Sequence, residues 1–154
     1  RSMGGRSMKV AIGCDHGGFE HKEAVKKHLE SKKIKVIDVG TDSNESVDYP
    51  IFGIAVAEKV RDKKADFGIV ICTSGEGITI AANKVKGIRA GIGYNDDVSR
   101  LIREHNNANV IGFGGSQMKV EDVLRRVDIF LNTKFDGGER HKRRVKLISD
   151  YETK

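Results

Sequence analysis

The sequence predicts an α/β protein with a three-layer α/β/α, Rossmann-like fold, a five-stranded parallel sheet and a C-terminal helical extension. Short apolar runs of the length of buried strands alternate along the chain with amphipathic helical stretches. Turns that contain glycine, aspartate or asparagine separate these runs. This alternation implies parallel strands joined by right-handed crossovers, with helices on both faces of the sheet.

The first two strand–helix units lie before residue 62. A strand at Lys9–Gly13 is followed by an amphipathic helix over Phe19–Ser31, and a second strand is predicted at Lys35–Val39. After a polar loop, Pro50 opens a helix over Ile51–Arg61, because proline is favoured at the first helical position.

The middle of the chain repeats this pattern twice. A strand at Phe67–Cys72 leads through a glycine-rich turn into a helix at about Ile78–Lys84. A strand at Ile88–Gly93 leads into a helix that ends at Glu104. Asn95 caps this helix, because its side-chain oxygen can accept from the free amides of the first turn.

A final strand–helix unit is followed by one more helix. A strand at Asn109–Phe113 precedes a helix over Val120–Asn132. A glycine-containing break at 136–138 then separates it from a basic helix over Arg140–Tyr151. This last helix is the predicted C-terminal extension.

The length and composition are those of a single domain. With 154 residues, of which 38% are hydrophobic, the chain is expected to bury roughly two-thirds of its unfolded surface. Residues 1–7 are rich in Gly, Ser and Arg and are interpreted as a cloning remnant, so the domain is expected to span residues 8–154. No apolar run approaches the roughly 18 residues of a membrane span. We therefore expect a cytoplasmic protein without a membrane partner.

Polar and reactive residues are predicted to gather at one edge of the sheet. Ligands of open parallel sheets bind beyond the carboxyl ends of the strands. The residues that follow the first four strands include Asp15 and His16, Asp48 and Tyr49, Cys72 to Gly77, and Tyr94 to Asp96. The functional site is therefore expected at this edge.

Residues 69–89 carry the strongest indication of catalysis. Cys72 lies at the tip of a buried strand, and the glycine-rich turn 74–77 leads into a helix. Free amides at a helix N-terminus stabilise both a thiolate and an oxyanion. Cys72 is therefore favoured as a functional thiol over a buried hydrophobe, and the turn as an anion hole over a simple tight turn. The turn lacks the lysine and third glycine of nucleotide-binding loops. Cys14 has no such turn beside it and is interpreted as a core residue.

Three further positions carry open alternatives. Glu76 is either a first-turn carboxylate that complements the helix dipole, which is preferred, or a general base. His16 either forms a helix cap together with Asp15 or faces a ligand. His105 begins the polar run 105–109, which is either a simple loop or a grip for hydroxyl groups.

The basic residues indicate a local anion site rather than a nucleic-acid surface. The formal charge is +6, but much of it is clustered near the C-terminus. Arg140 and Arg144 are four residues apart, so they share a helix face that either meets solvent or grips one phosphate. Aromatic residues make up 6% of the chain and none is interleaved with this cluster, as base stacking requires. We therefore expect no nucleic-acid partner. We also expect no metal, because no pair of histidines has the spacing of metal ligands.

Seven ordered motifs resemble one known family. They are Cys14-Asp15-His16-Gly17-Gly18, Asp48-Tyr49-Pro50, Cys72-Thr73-Ser74-Gly75-Glu76-Gly77, Ala81-Ala82-Asn83-Lys84, Gly87-Ile88-Arg89, His105-Asn106-Asn107-Ala108-Asn109, and Gly137-Gly138 followed by Arg140-His141. Together they resemble the B-type ribose-5-phosphate isomerases, which share a sugar-phosphate isomerase family with the galactose-6-phosphate isomerase subunits. The resemblance covers nearly all of residues 8–151.

The resemblance implies an enzyme. Its reaction would be the aldose–ketose interconversion of ribose 5-phosphate and ribulose 5-phosphate through a cis-enediolate, without a metal or another cofactor. The resemblance further implies a homodimer whose active sites are shared between subunits, and it leaves tetramers open.

The resemblance also implies a role for each site residue. Cys72 would be the base that moves a proton between C1 and C2, and Ser74 would assist at the sugar oxygens. His105 would open the sugar ring, with Asp15 as its partner. The enediolate would be held by the amides of Ser74, Gly75, Glu76, Gly77 and Ile78. The remaining ligands divide between sugar and phosphate: Tyr49 and Asn106 for the sugar, and His16, Arg140 and Arg144 for the phosphate.

Two departures from the family pattern leave the substrate open. The run 114–117 lacks the arginine that typical members carry there, and Glu139 interrupts the usual Gly-Gly-Arg-His sequence. A hexose 6-phosphate, such as galactose or allose 6-phosphate, is therefore the alternative substrate. The basic C-terminal helix leaves a third hypothesis, a non-catalytic module that binds sugar phosphate or nucleic acid.

Overall fold

A computed structural model describes residues 2, 3 and 6–154 of the chain. Ahead of the main fold, Ser2–Met3 and Arg6–Ser7 pair as two short antiparallel strands. The cloning remnant predicted for residues 1–7 lies partly outside the described residues and stays a prediction. The elements named below all follow residue 8.

Five parallel strands form the central sheet, as predicted. They are β1 (Lys9–Cys14), β2 (Lys35–Asp38), β3 (Phe67–Cys72), β4 (Ala90–Ile92) and β5 (Val110–Gly114). Their order across the sheet is β2-β1-β3-β5-β4. Because the chain adds β2 on one side of β1 and β3 on the other, a crevice opens beyond the carboxyl ends of β1 and β3.

Six α-helices accompany the sheet. They are α1 (Phe19–Ser31), α2 (Tyr49–Arg61), α3 (Glu76–Asn83), α4 (Asp96–Glu104), α5 (Val120–Asn132) and α6 (Glu139–Tyr151). A single 3-10 turn, His16–Gly18, connects β1 to α1. In the part of the chain described here, none of the helices combines the length and the apolar character needed to cross a membrane.

Two apolar cores separate the sheet from the helices on its two faces, which confirms the three-layer arrangement. On one face, α1 and α5 contribute fully buried side chains such as Leu29 and Phe130. On the other face, α2 and α3 contribute Val56 and Ile78. The extension α6 lies outside these layers, and His141 is its one buried residue.

The helices α2 and α3 each begin two residues earlier than the sequence pattern predicts, and α6 begins one residue earlier. α2 begins at Tyr49, so Pro50 occupies one of the first helical positions, where no amide donor is needed. α3 begins at Glu76, because Gly75 adopts a left-handed conformation that ends the turn and caps the helix. The shifts of α2 and α3 bring site residues into the first turn of a helix, where backbone amides are free.

The edge strand β4 is shorter than the predicted strand at Ile88–Gly93. At its start, the Asn83 side chain donates to the Ala90 carbonyl at 2.8 Å and accepts from the Ala90 amide at 2.7 Å. A side chain thus replaces a neighbouring strand at the outer edge.

A buried ion pair anchors the loop between β2 and α2. Lys22 of α1 is fully buried, and its Nζ donates to both carboxylate oxygens of Asp38 at 2.9 Å and to the Thr41 carbonyl at 2.6 Å. Burial opposes the ionisation of Asp38, but hydrogen bonds from Lys26, Lys22 and a backbone amide hold its pKa below the usual value. The first residues of the loop are therefore tied to α1.

Candidate active site

The turns that follow β1, β3 and β5 meet at the carboxyl edge of the sheet. The Asp15 amide donates to the Ile71 carbonyl at 3.2 Å, and the Gly115 amide donates to the Cys72 carbonyl at 2.8 Å. These bonds cross from one turn to the next. The three turns therefore form one connected surface around the end of β3.

Cys72 ends β3 and lies beneath the glycine-rich turn. The residue is only 4% exposed, and its sulfur accepts a hydrogen bond from the Gly75 amide at 3.2 Å. Gly75 is the N-cap of α3, so the sulfur lies at the positive end of that helix. The structure thus places the sulfur against a backbone amide donor at the N-terminus of α3.

The rest of the turn leads from this sulfur into the first residues of α3. Ser74 is exposed, and its hydroxyl accepts from the Glu76 amide at 3.1 Å. Glu76 is exposed and is the first residue of α3, the position preferred for it in the sequence. The Tyr49 ring lies against Gly77, where a Cβ would come within 2.6 Å of the ring. The Ile78 side chain is fully buried, so only its backbone can meet a ligand.

Gly75 provides a test of how closely this turn must approach β5. Its φ is +87°, and a Cβ there would lie 2.8 Å from the carbonyl carbon of Phe113. We expect Gly75→Ala to lower the free energy of unfolding by roughly 1–3 kcal/mol, because a left-handed non-glycine backbone is strained and the new methyl group meets β5. We also expect lower turnover, because the amide that bonds the Cys72 sulfur must move.

Gly87→Ala is the matched control for this prediction. Gly87 also has a φ of +87°, but nothing lies within 4 Å of a Cβ at that position. The Gly87→Ala variant should therefore lose only about 1 kcal/mol of unfolding free energy, from the backbone strain alone, and its turnover should be unchanged. Urea unfolding of both variants makes the comparison, and equal losses of stability would contradict a role for the contact with β5.

Asp15 and His16 follow β1, and each has a local partner. Asp15 is buried, and one carboxylate oxygen accepts from the Gly17 amide at 2.8 Å, so Asp15 caps the 3-10 turn that precedes α1, whereas Gly18 is the N-cap of α1 itself. Nδ1 of His16 accepts from the Val47 amide at 3.1 Å. The neutral His16 ring therefore carries its proton on Nε2.

A small cavity adjoins His16 at this edge. Its volume is about 240 Å³, and its lining includes His21, Thr73 and Ser116. The lining reaches Thr73 but does not include Cys72, whose sulfur is covered by its own turn. The cavity could hold the polar end of a ligand whose reacting atoms lie at the turn.

His105 and Asn106 lie at the opposite, amino edge of the sheet. They connect α4 to β5, and the Asn109 carbonyl in the same loop accepts from the Gly68 amide near the start of β3 at 2.9 Å. A strand rises about 3.3 Å per residue, so the six residues of β3 separate this edge from Cys72 by roughly 17 Å.

Two arginines hold the loop that contains His105. The Arg103 guanidinium donates to the Asn107 side chain at 2.9 Å and to the Ala108 carbonyl at 2.8 Å. The Arg89 guanidinium donates to the carbonyls of Asn106 and Asn107 at 3.0 and 2.9 Å. Burial lowers the pKa of both arginines. The loop is therefore fixed from two directions by charged donors.

The helix α6 carries Arg140 and Arg144 to the same amino edge. The His141 ring stacks on the His105 ring, with centroids 4.3 Å apart and planes 8° apart. Arg140 and Arg144 are both exposed. The extra residue Glu139 is accommodated as the first residue of α6.

The predicted site residues therefore form two groups at opposite edges of the sheet. The carboxyl-edge group comprises Asp15, His16, Tyr49, Cys72, Ser74, Gly75, Glu76, Gly77 and Ile78. The amino-edge group comprises His105, Asn106, Arg140 and Arg144. One chain does not bring the groups together. The predicted pairing of His105 with Asp15, and the phosphate site of His16 with the two arginines, are therefore not formed within one chain.

The second cysteine belongs to the core, as predicted. Cys14 is fully buried, and burial raises the pKa of its thiol to about 12 although Lys22 and the Thr41 amide act in the opposite direction. It is therefore a poor nucleophile at neutral pH. Across the described residues, no three His, Cys, Asp or Glu side chains are grouped as ligands for a metal ion.

Three residues of the amino edge are missing from the predicted site. His141 and Arg89 each stand in one of the seven ordered motifs, so a signal for them was present in the sequence. Arg103 has no comparable signal, because an arginine that clamps a loop and a solvated arginine look alike in a single sequence.

Comparison with known proteins gives a consistent result. The family model described as Ribose/Galactose Isomerase matches residues 10–148. The chain is 42% identical over 144 residues to ribose-5-phosphate isomerase B of Escherichia coli (strain K12), which covers 94% of this chain and 96% of that protein.

Solved structures show the same similarity. The ribose-5-phosphate isomerase B of Clostridium thermocellum has a TM-score of 0.93 and 47% identity, covering 95% of this chain and 98% of that one. The enzyme of the same name from Mycoplasma genitalium, solved with bound ribulose-5-phosphate, has a TM-score of 0.91 and 37% identity, with coverage of 96% and 98%.

Proposed function

Since the chain belongs to the ribose/galactose isomerase family, we propose that it interconverts ribose 5-phosphate and ribulose 5-phosphate. The observation that carries the proposal is the nearly full-length similarity to ribose-5-phosphate isomerases B, one of which was solved with bound ribulose-5-phosphate. This family is one of isomerases, which argues against the non-catalytic binding module.

Cys72 is the base in the proposed reaction. Its thiolate takes the proton from C2 of the open-chain aldose, and the C–H electrons form the C1–C2 double bond of a cis-enediolate. The negative charge on oxygen is held by the backbone amides of the turn 74–78, among which the Gly75 amide contacts the sulfur and the Glu76 amide contacts the Ser74 hydroxyl before the substrate binds. Return of the proton to C1 gives the ketose, and Ser74 passes a proton between the two oxygens.

The other predicted residues bind the substrate or open its ring. His105 donates a proton to the ring oxygen of the cyclic aldose, and Asp15 accepts the proton of the C1 hydroxyl, so the aldehyde is released. Tyr49 and Asn106 contact the sugar. The phosphate is bound by His16, Arg140 and Arg144, whose exposed guanidinium groups suit a phosphate.

A homodimer with shared sites is part of the same proposal. A two-fold axis that sets the carboxyl edge of one sheet against the amino edge of another joins both groups of residues and closes two identical sites. Exposed apolar side chains support such an interface. The most exposed are Ile51 at 64%, Ile80 at 60%, Tyr94 at 63%, Leu147 at 63% and Tyr151 at 75%. Of these, Leu147 and Tyr151 line one cavity together with Ile148, and grouped apolar side chains on a surface mark interaction sites.

The substrate is tested by comparing sugar phosphates. We expect kcat/KM for ribose 5-phosphate to exceed the values for galactose 6-phosphate and allose 6-phosphate by at least about tenfold, because one additional carbon unit in a closed pocket costs that much. Each substrate is assayed alone and then in competition at equal concentration.

The hexose alternative rests on the segment after β5. There the Ser116 hydroxyl donates a hydrogen bond to the Thr73 carbonyl at 2.9 Å. The run 114–117 has no cationic side chain that could bind a phosphate. A preference for a hexose 6-phosphate would support this second function. No turnover of any of the three sugar phosphates would contradict both.

A further inference from the structure

The rings of His105 and His141 form a face-to-face stack at the amino edge of the sheet. Their centroids are 4.3 Å apart and their planes differ by 8°. His141 is buried with 6% of its surface exposed, whereas 37% of the His105 side chain is exposed. One ring is therefore a buried support, and the other is accessible to a ligand.

The backbone on both sides of the stack is fixed. The Asp136 amide, in the loop before α6, donates to the Glu104 carbonyl at the end of α4 at 2.9 Å. The Asp136 carboxylate also lies 3.7 Å from Nε2 of His141. The start of α6 and the end of α4 are thereby connected, and each carries one of the two rings.

We propose that His141 is a positioning residue for ring opening: its buried ring is a flat support that sets the plane of His105, and hence the direction in which His105 presents its proton to the sugar. This inference rests on the proposed function, in which His105 opens the ring. His141 itself acts only through His105.

The charges around His141 favour an uncharged ring. Burial lowers the pKa of His141, and the positive charges of His105, Arg140 and Arg144 lower it further, while Asp136 acts in the opposite direction. A neutral ring stacks without repulsion on a neighbour that carries a proton.

A carboxylate adjoins the exposed ring of the stack. The Glu104 carboxylate lies 3.7 Å from Nε2 of His105. Both rings of the stack therefore have a carboxylate beside Nε2, Glu104 for His105 and Asp136 for His141.

Two substitutions of His141 distinguish the contribution of its flat ring from the contribution of its ring nitrogens. His141→Leu removes the flat surface, and we expect kcat/KM for ribose 5-phosphate to fall by about 10- to 100-fold, because small misplacements of a catalytic group have effects of this size. His141→Phe keeps a flat aromatic surface without a titratable group, and it should restore kcat/KM to within about threefold of the wild type.

A second measurement, hydrogen exchange of ribulose 5-phosphate with D2O, distinguishes an effect on ring opening from an effect on proton transfer at carbon. Ribulose 5-phosphate is an open-chain ketose, so exchange of its C1 hydrogen with D2O, followed by NMR, needs the base but not the ring-opening acid. We expect this exchange to stay within about twofold of the wild type in both variants. A residue needed only for folding would lower exchange and turnover together.

Controls keep the inference testable. His28→Leu is the same substitution placed in α1, where the His28 ring contacts the Asp128 carboxylate at 2.9 Å. This variant should leave turnover unchanged. Thermal unfolding checks each variant. If His141→Leu is not folded, His141→Asn replaces it, since it too lacks a flat ring, and the same loss is expected.

Three results would overturn the inference while the proposed function stands: wild-type turnover in His141→Leu, equal impairment of the leucine and phenylalanine variants, or parallel loss of exchange and turnover. A wild-type protein without isomerase activity would instead overturn the proposed function, and this inference with it.

Discussion

Replacing Cys72 with alanine is expected to lower kcat for ribose 5-phosphate by about a thousandfold, within the range of general-base catalysis. The sulfur already accepts a hydrogen bond from the N-cap amide of α3 at 3.2 Å, and the other cysteine, Cys14, packs in the apolar core on the opposite face of the sheet. Cys72→Ser should be nearly as inactive, because a serine hydroxyl is far less acidic than a thiol. Exchange of the C1 hydrogen of ribulose 5-phosphate with D2O should disappear together with turnover.

Cys14→Ala is the matched control for the loss of a cysteine. Cys14 is fully buried in the core, so its removal should lower the free energy of unfolding but leave kcat near the wild-type value. Steady-state assays and urea unfolding of the three variants give the comparison. A Cys72→Ala enzyme that keeps most of its kcat would show that another group is the base.

Mixing two inactive variants is expected to restore activity if each site uses two chains. Cys72→Ala damages the carboxyl-edge group, and His105→Asn damages the amino-edge group. In a mixed dimer, one of the two sites receives an intact group from each chain. An equal mixture that exchanges subunits freely should therefore recover about a quarter of the wild-type activity, since half of the dimers are mixed and each has one good site.

The control for this experiment uses a double variant that carries both substitutions. Mixed with an equal amount of wild type, it should leave about a quarter of the wild-type activity, because no mixed dimer has an intact site. Sites contained within single chains would instead leave about half, and the two single variants would not restore activity to each other. Co-expression with two different affinity tags allows the mixed dimer to be isolated and assayed directly.

The local elements were largely predictable from the sequence. The bounds of α1, β3 and α5 agree with the prediction at both ends, because apolar periodicity and turn residues are local properties. Asn95 caps α4 as predicted, with its side chain accepting from the Val98 amide at 2.7 Å. The short strand β4 was not predictable to the same degree, because its start is decided by a side chain of α3.

The composition of the candidate site was predictable only as a list of residues. Cys72 with its turn follows from a strand, a glycine-rich segment and a helix in sequence order. The position of His105 on the opposite edge follows from the direction of α4, which begins at the carboxyl edge and ends at the amino edge. The contacts of His141 with His105 and of Arg89 with the loop 106–107 join segments far apart in sequence, for which a single chain carries no local pattern.

The sequence by itself determined a five-stranded α/β domain and the chemical groups that an isomerase of this family needs, because strands, helices and motifs are encoded in neighbouring residues. Only the tertiary structure decided that these groups divide between two edges of one sheet. A parallel strand separates its two ends by its own length, and packing alone selects which loops lie at each end. The proposal of a dimer with shared sites rests on that separation.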